Sequence, residues 1–140
     1  MERENKLYLI DTNIFLEVLL KRQHSPFCKD FLRKIASGQI TGLFTSFSLH
    51  TIEIHMINAG LFKELNLFLE SLLEYAGLRI YHTSVNDEIG ILKAMESEGL
   101  TFDDATQFYV AKKFAAPIVS LDSDFDKTSI KRIDPAKANF

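Results

Sequence analysis

Four short, mostly apolar runs punctuate the chain: LYLI at 7–10, GLFT at 42–45, LRIY at 78–81 and IVSL at 118–121. Between them lie longer stretches whose apolar residues recur at helical spacing. A strand that is apolar throughout has to be covered on both faces, and helices between successive strands achieve this when the strands run parallel. The expected class is therefore α/β, with a mostly parallel sheet of four strands and a fifth, short edge strand at Ile130–Ile133.

The helical stretches carry readable ends. Asn13 is the expected N-cap of a first helix with Ile14, Phe15, Val18 and Leu19 on its apolar face, running to about Lys21. Ser25 followed by Pro26 starts a second, with Phe27, Phe31, Leu32 and Ile35 inward, ended by Ser37-Gly38. After hydroxyl residues Thr45, Ser46 and Ser48, a third helix carries Leu49, Ile52, Met56 and Ile57 and closes at Asn58-Ala59-Gly60. The segment LFKELNLFLESLLEYA (61–76) is apolar on more than one face, so it is either buried within its own chain or shared between that core and a second subunit. Ser84 with Asp87 three residues on forms a variant capping box before Ile89, Leu92 and Met95, and Gly99 stops that helix. Thr101 opens the next, with Asp104 three residues on and Ala105, Phe108, Tyr109, Ala111 and Ala115 continuing towards Pro117.

Composition narrows the setting. At 140 residues with 46% hydrophobic content, residues 1–140 fit one domain with an adequate core. The single cysteine, Cys28, excludes an internal disulfide and reads as a small buried hydrophobe. No apolar run approaches the ~20 residues that span a bilayer, so no membrane partner is expected. The charged opening MERENK lacks the apolar region of a signal peptide, and the expected location is cytoplasmic. A net charge of −3 counts against a plain electrostatic nucleic-acid binder. That objection weakens if clustered acids are neutralised by bound cations, which leaves the remainder close to neutral.

Two of the apolar runs end in aspartate, Asp11 and Asp122, and in open α/β sheets the carboxyl ends of strands are where ligands bind. Two helical acids, Glu53 and Asp104, are placed to close over the same cleft. Several carboxylates crowd a small cleft only if cations offset their repulsion, and an all-oxygen donor set suits Mg2+ or Mn2+ better than zinc. Such ions activate water and stabilise a leaving oxygen in phosphodiester hydrolysis. Singly, each acid has an ordinary reading: Asp104 as part of a helix cap, Asp122 and Asp124 as turn formers, Glu53 as a solvated residue. A calcium loop from Asp122 fails, because Lys127 takes the glycine position and Ile133 that of the bidentate glutamate. A zinc pair of His50 and His55 fails because residues five apart lie roughly 140° round a helix; these histidines are expected on the surface or at an interface. The basic residues Lys21, Arg22, Lys112, Lys113, Lys127, Lys131 and Arg132 are either phosphate contacts or ordinary surface.

The segments LIDTNIFLEVLL, TSFSLHTIEIHM and LTFDDATQFYVAKKFAAPIVSLDSDFD, in this order, resemble the PIN-domain (PilT N-terminus) family, which includes VapC-type toxin ribonucleases. The likeness covers nearly the whole chain. It implies a three-layer α/β/α fold with sheet order 3-2-1-4-5. It also implies a Mg2+- or Mn2+-dependent endoribonuclease acting on RNA, commonly a homodimer and often restrained by an antitoxin protein. By position, Asp11, Glu53, Asp104 and Asp122 resemble the four family acids that hold metal and carry catalysis, with Asp124 as an outer acid. Asn13 resembles the family asparagine that holds the first acid or a water. The hydroxyl after the second strand is matched by Thr45, Ser46 or Ser48, with Ser46 preferred for substrate binding. Asp103 competes with Asp104 for the third position; Asp104 precedes Ala105 as in the family. The second motif departs from the pattern, since FSLHTIEI lacks the usual neighbours of the helix glutamate. Hence the alternative expectation is a catalytically inactive module of the same fold that binds RNA or protein.

Overall fold

The structure, a computed structural model, describes residues 6–140. Its elements are β1 (Leu7–Ile10), α1 (Thr12–Leu19), α2 (Ser25–Ala36), β2 (Thr41–Thr45), α3 (Ser46–Asn58), α4 (Phe62–Leu72), β3 (Leu78–Tyr81), α5 (Val85–Glu98), α6 (Phe102–Lys113), β4 (Ile118–Val119) and β5 (Arg132–Ile133), with a 3-10 turn over Ser123–Lys127. Met1–Asn5, most of the charged opening that bears on the signal-peptide reading, lie outside the described residues.

The strands form one sheet in the order β3-β2-β1-β4-β5, and every pairing is parallel. Central β1 sets Leu9 opposite Leu43 on one side and Ile118 on the other. Because side chains alternate across a strand, Tyr8 and Ile10 enter the core beneath α1–α4. Leu9 and Leu43 enter the opposite core with Val110, Ala111 and Phe125. This is the three-layer α/β/α arrangement that the resemblance implied. A sheet with both faces occupied explains why its strands read as continuous apolar runs.

Several boundaries move for physical reasons. Helix α1 begins at Thr12, with Asp11 rather than Asn13 as its cap: Asp11 has extended backbone (φ −71°, ψ 150°) and its carboxylate accepts the Thr12 N–H at 2.8 Å. The fourth run stays in the sheet only over Ile118–Val119, and the fifth over Arg132–Ile133. Helix α4 buries Leu65 and Phe68, the latter 5.4 Å from the Phe15 ring, while Phe62, Leu67 and Leu73 are exposed. It therefore buries one face and leaves the other bare, instead of being buried all round within its own chain.

Helix α5 turns a different face inward from the one its apolar residues suggest. Asp87, Ile91 and Ala94 are buried, whereas Ile89 and Leu92 face out. The cause is Asp87, which closes the capping box on Ser84 and accepts from Tyr81 Oη at 2.5 Å, Tyr109 Oη at 2.9 Å and Lys113 Nζ at 2.9 Å. Together these donors outweigh burial and hold its carboxyl well below the usual carboxylate range. Positions i, i+4 and i+7 share a helix face, so anchoring Asp87 drags Ile91 and Ala94 inward with it. Lys113 is thereby engaged in structure rather than left for phosphate.

Candidate metal centre

The carboxyl end of β1 delivers Asp11 to a cleft of about 150 Å³ between the first turn of α1, the middle of α3, the start of α6 and the turn after β4. Asp11, Asn13, Thr51, His55, Asp103, Asp104 and Asp122 all line it. Parallel pairing of β1 with β4 makes this convergence, because adjacent parallel strands end at the same edge of the sheet.

Asp11 is 5% exposed, and both its oxygens are engaged. Oδ1 accepts from the Thr12 N–H and Oδ2 from the Ser120 hydroxyl at 2.5 Å. Burial pushes its carboxyl up to about 7; the Ser120 and Thr12 hydrogen bonds oppose this, and the carboxylates of Asp103 and Asp104 add to it. Burial likewise raises Asp103 and Asp104, and the Asp122 charge reinforces both shifts. Among the described residues no lysine or arginine lines the cleft. It is therefore a site of concentrated, uncompensated negative charge, which a hard cation would neutralise.

One carboxylate oxygen each from Asp104, Asp122 and Asp124 lie within 4.8 Å of one another. Two elements bring them there. Thr101 caps α6 by accepting the Asp104 N–H at 3.3 Å, which places Asp103 and Asp104 in its first turn. Asp122 caps the 3-10 turn by accepting the Asp124 N–H at 2.9 Å. Asp124, expected as an outer acid, thus stands beside Asp104 and Asp122, and at the surface it lies 3.7 Å from Lys127 Nζ. The donor set is entirely oxygen and fits magnesium or manganese better than zinc.

Of the residues singled out from the sequence, Asp11, Asp104, Asp122 and Asn13 are brought together. Asn13 reaches across to the end of β4 rather than to Asp11: its Nδ2 donates to Ser120 Oγ and its Oδ1 accepts from the Leu121 N–H, both at 3.4 Å. Asp103 faces the same cleft as Asp104. Glu53 does not line it; α3 presents Thr51 and His55 there, one turn apart, and a residue two positions from each lies roughly 200° away from them around the helix. Ser46 is also not among the lining residues. The engaged hydroxyls at the end of β2 are Thr45, which caps α3 by accepting the Ser48 N–H at 3.1 Å, and the buried Ser48.

Reading the sequence missed Ser120, which ties the site together. It is fully buried, donates to Asp11 and accepts the Asp122 N–H at 2.9 Å, so it couples the two strand-end acids. The available signal was a lone hydroxyl inside an apolar run, two residues before an aspartate. Thr12, Thr51 and Gln107 were missed as well, since nothing in their spacing separates a cleft hydroxyl or amide from an ordinary helical one; His55, expected on the surface or at an interface, is exposed at the rim of the cleft.

The profile of one protein family, the PIN domain, matches residues 8–131. No curated protein matches the chain. Among solved structures, the Sarcin-Ricin loop cleaving toxin VapC20 of Mycobacterium tuberculosis superposes with a TM-score of 0.70 at 16% identity, over 88% of this chain and 95% of that one. A toxin–antitoxin complex from Klebsiella pneumoniae gives 0.68 at 14% identity, over 91% and 97%. VapBC2 of Rickettsia felis, bound to a DNA fragment from its promoter, gives 0.67 at 18% identity, over 91% and 97%. At these identities the likeness is one of fold.

Proposed function

The chain belongs to the PIN-domain family, and from that premise we propose that it is a divalent-metal-dependent endoribonuclease, the toxin of a toxin–antitoxin pair. The observation that carries this reading is the packing of Asp104, Asp122 and Asp124 into one oxygen cluster, in the cleft that Asp11 closes from the end of β1. Asp11, Asp104 and Asp122 would hold Mg2+ or Mn2+, with Asp103 and Asp124 beside them. When bound, the cation offsets charge developing on the phosphate and makes a water acidic enough to attack it.

The chain's own residues do the rest. Ser120 orients Asp11 and, through the Asp122 N–H, sets the spacing of the two strand-end acids. Asn13 braces the end of β4 through both ends of its amide and lines the cleft, where its second N–H would meet a phosphate oxygen. His55 is exposed at the rim of the cleft, where it would meet the nucleotide. The partner reading is supported by an apolar groove of about 330 Å³ between α1, α2 and α4, lined by Phe15, Val18, Leu19, Leu32, Leu67 and Tyr75, which suits the apolar face of an antitoxin helix. It is also supported by the Klebsiella structure being a toxin–antitoxin complex.

One observation favours a second reading, a binding module without activity: α3 brings a threonine and a histidine to the cleft in place of an acid. Cleavage of single-stranded RNA with Mn2+ separates the two. Wild type should cleave, EDTA should abolish cleavage, and Asp11→Asn should lower the rate by at least about 100-fold, since even groups that only orient metal ligands are worth about 10–100-fold. Equal rates in both proteins would signal a contaminant, and no cleavage by either would favour the binding module.

A further inference from the structure

Gln107 is completely buried on α6, one turn beyond Asp103, and its carboxamide lies against both the Asp103 carboxylate and Ser48. With Nε2 directed at Ser48, two features conflict with hydrogen-bond chemistry. Ser48 Oγ lies within hydrogen-bond distance of Thr12 Oγ1 at 2.8 Å, Thr45 Oγ1 at 3.0 Å and Gln107 Nε2 at 2.5 Å. A hydroxyl accepts two and donates one, so Ser48 serves three partners whichever way the carboxamide lies. A separation of 2.5 Å suits O–H···O and is too short for N–H···O. Gln107 Oε1 and Asp103 Oδ1, both acceptors, are buried with no donor.

Turning the carboxamide by 180° resolves both. Ser48 accepts from the two threonines and donates to Gln107 Oε1, and Nε2 is freed to donate to Asp103. The polar chain then runs from Thr12 beside Asp11, and from Thr45 at the end of β2, through Ser48 and Gln107 to the carboxylate that faces Asp11 across the cleft.

We propose that Gln107 is a positioning residue of the candidate metal centre, donating through Nε2 to Asp103 and holding that carboxylate in the cleft. Helix α6 thereby supplies two acids, Asp103 and Asp104, where α3 supplies none. The inference rests on the metal-centre reading above, and its test has a part that needs no metal.

In the metal-free full-length chain, nitrogen-15 NMR should show one Gln107 side-chain amide proton displaced downfield by its charged acceptor, and Asp103→Ala should abolish the displacement. A Gln107 resonance indifferent to Asp103→Ala would overturn the proposal. This part uses no Gln107 variant, so it decides the question even if Gln107→Met fails to fold. In the second part, Mn2+ binding is measured by calorimetry. Gln107→Met keeps the volume and removes the donor; it should bind Mn2+ about 10–100-fold more weakly, and adding Gln107→Met to Asp103→Ala should weaken binding no further. A Gln107→Met protein that binds Mn2+ like wild type overturns the positioning role and leaves the metal centre standing. A wild type that takes no Mn2+ overturns both.

Discussion

At the scale of single residues, Asp11 carries the conflict that defines the site. It caps a helix, accepts from Ser120 and is held where burial and neighbouring acids raise its carboxyl to about 7. Its folded value lies above the unfolded one, so between about pH 4 and 7 the folded chain keeps a proton that the unfolded chain has released. Without metal, the stability owed to this group is therefore lost as pH rises through that window, by on the order of 4 kcal/mol. Asp11→Asn removes the penalty, keeps an acceptor for the Thr12 N–H and turns an amide N–H towards Ser120 Oγ in place of the second acceptor. In EDTA at pH 8 the variant should melt several degrees above wild type, and at pH 4 the difference should nearly vanish. Thermal unfolding followed by circular dichroism checks this; a pH-independent difference would contradict it. The acids at 11, 104 and 122 were legible because strand ends and caps are local signals. Ser120 was not, because its partner Asp11 is 109 residues away in sequence, and neither was Gln107, whose carboxamide is fixed against Ser48, 59 residues away.

At the scale of elements, the α5–α6 pair shows a buried polar group overriding apolar patterning. The Ser84–Asp87 capping box is visible in the sequence, but the inward face of α5 follows from the donors that reach Asp87 from β3 and α6. Gly90 completes the contact: a Cβ there would collide with the Tyr109 ring, whose hydroxyl donates to Asp87. Gly→Ala inside a helix ordinarily stabilises by about 0.5–1 kcal/mol. Here Gly90→Ala should instead destabilise by about 1–3 kcal/mol, the cost of overpacking, seen as a lower urea midpoint at unchanged slope. A raised midpoint would mean that the two helices separate at little cost.

At the scale of the whole molecule, apolar residues remain bare on α4 and just after it, at Phe62, Leu67 and Leu73, and on α5, at Val85, Ile89 and Leu92. Exposed patches of this kind mark contact surfaces, and a second subunit is one of the two partners expected for the wide apolar surface of 61–76. Light scattering at micromolar concentration should give a dimer, and Phe62→Glu with Leu73→Glu should return a monomer that keeps its fold. A wild-type monomer would remove the seam on α4.

The sequence by itself determined the alternation of strands and helices, the parallel sheet, most helix ends and three acids of the cleft, because these depend on residues close together in the chain. The tertiary structure alone decided which helix faces turn inward and which side chains complete the site. Thr51 and His55 reach the cleft and Glu53 does not, because the angular setting of α3 is set by packing of Ile52 and Met56 against distant strands and helices. Asp103 joins Asp104 because a fully buried amide one turn along α6 lies against it, between that carboxylate and the hydroxyl of Ser48. A hydrogen bond between elements far apart in the chain exists only once the core has brought them together.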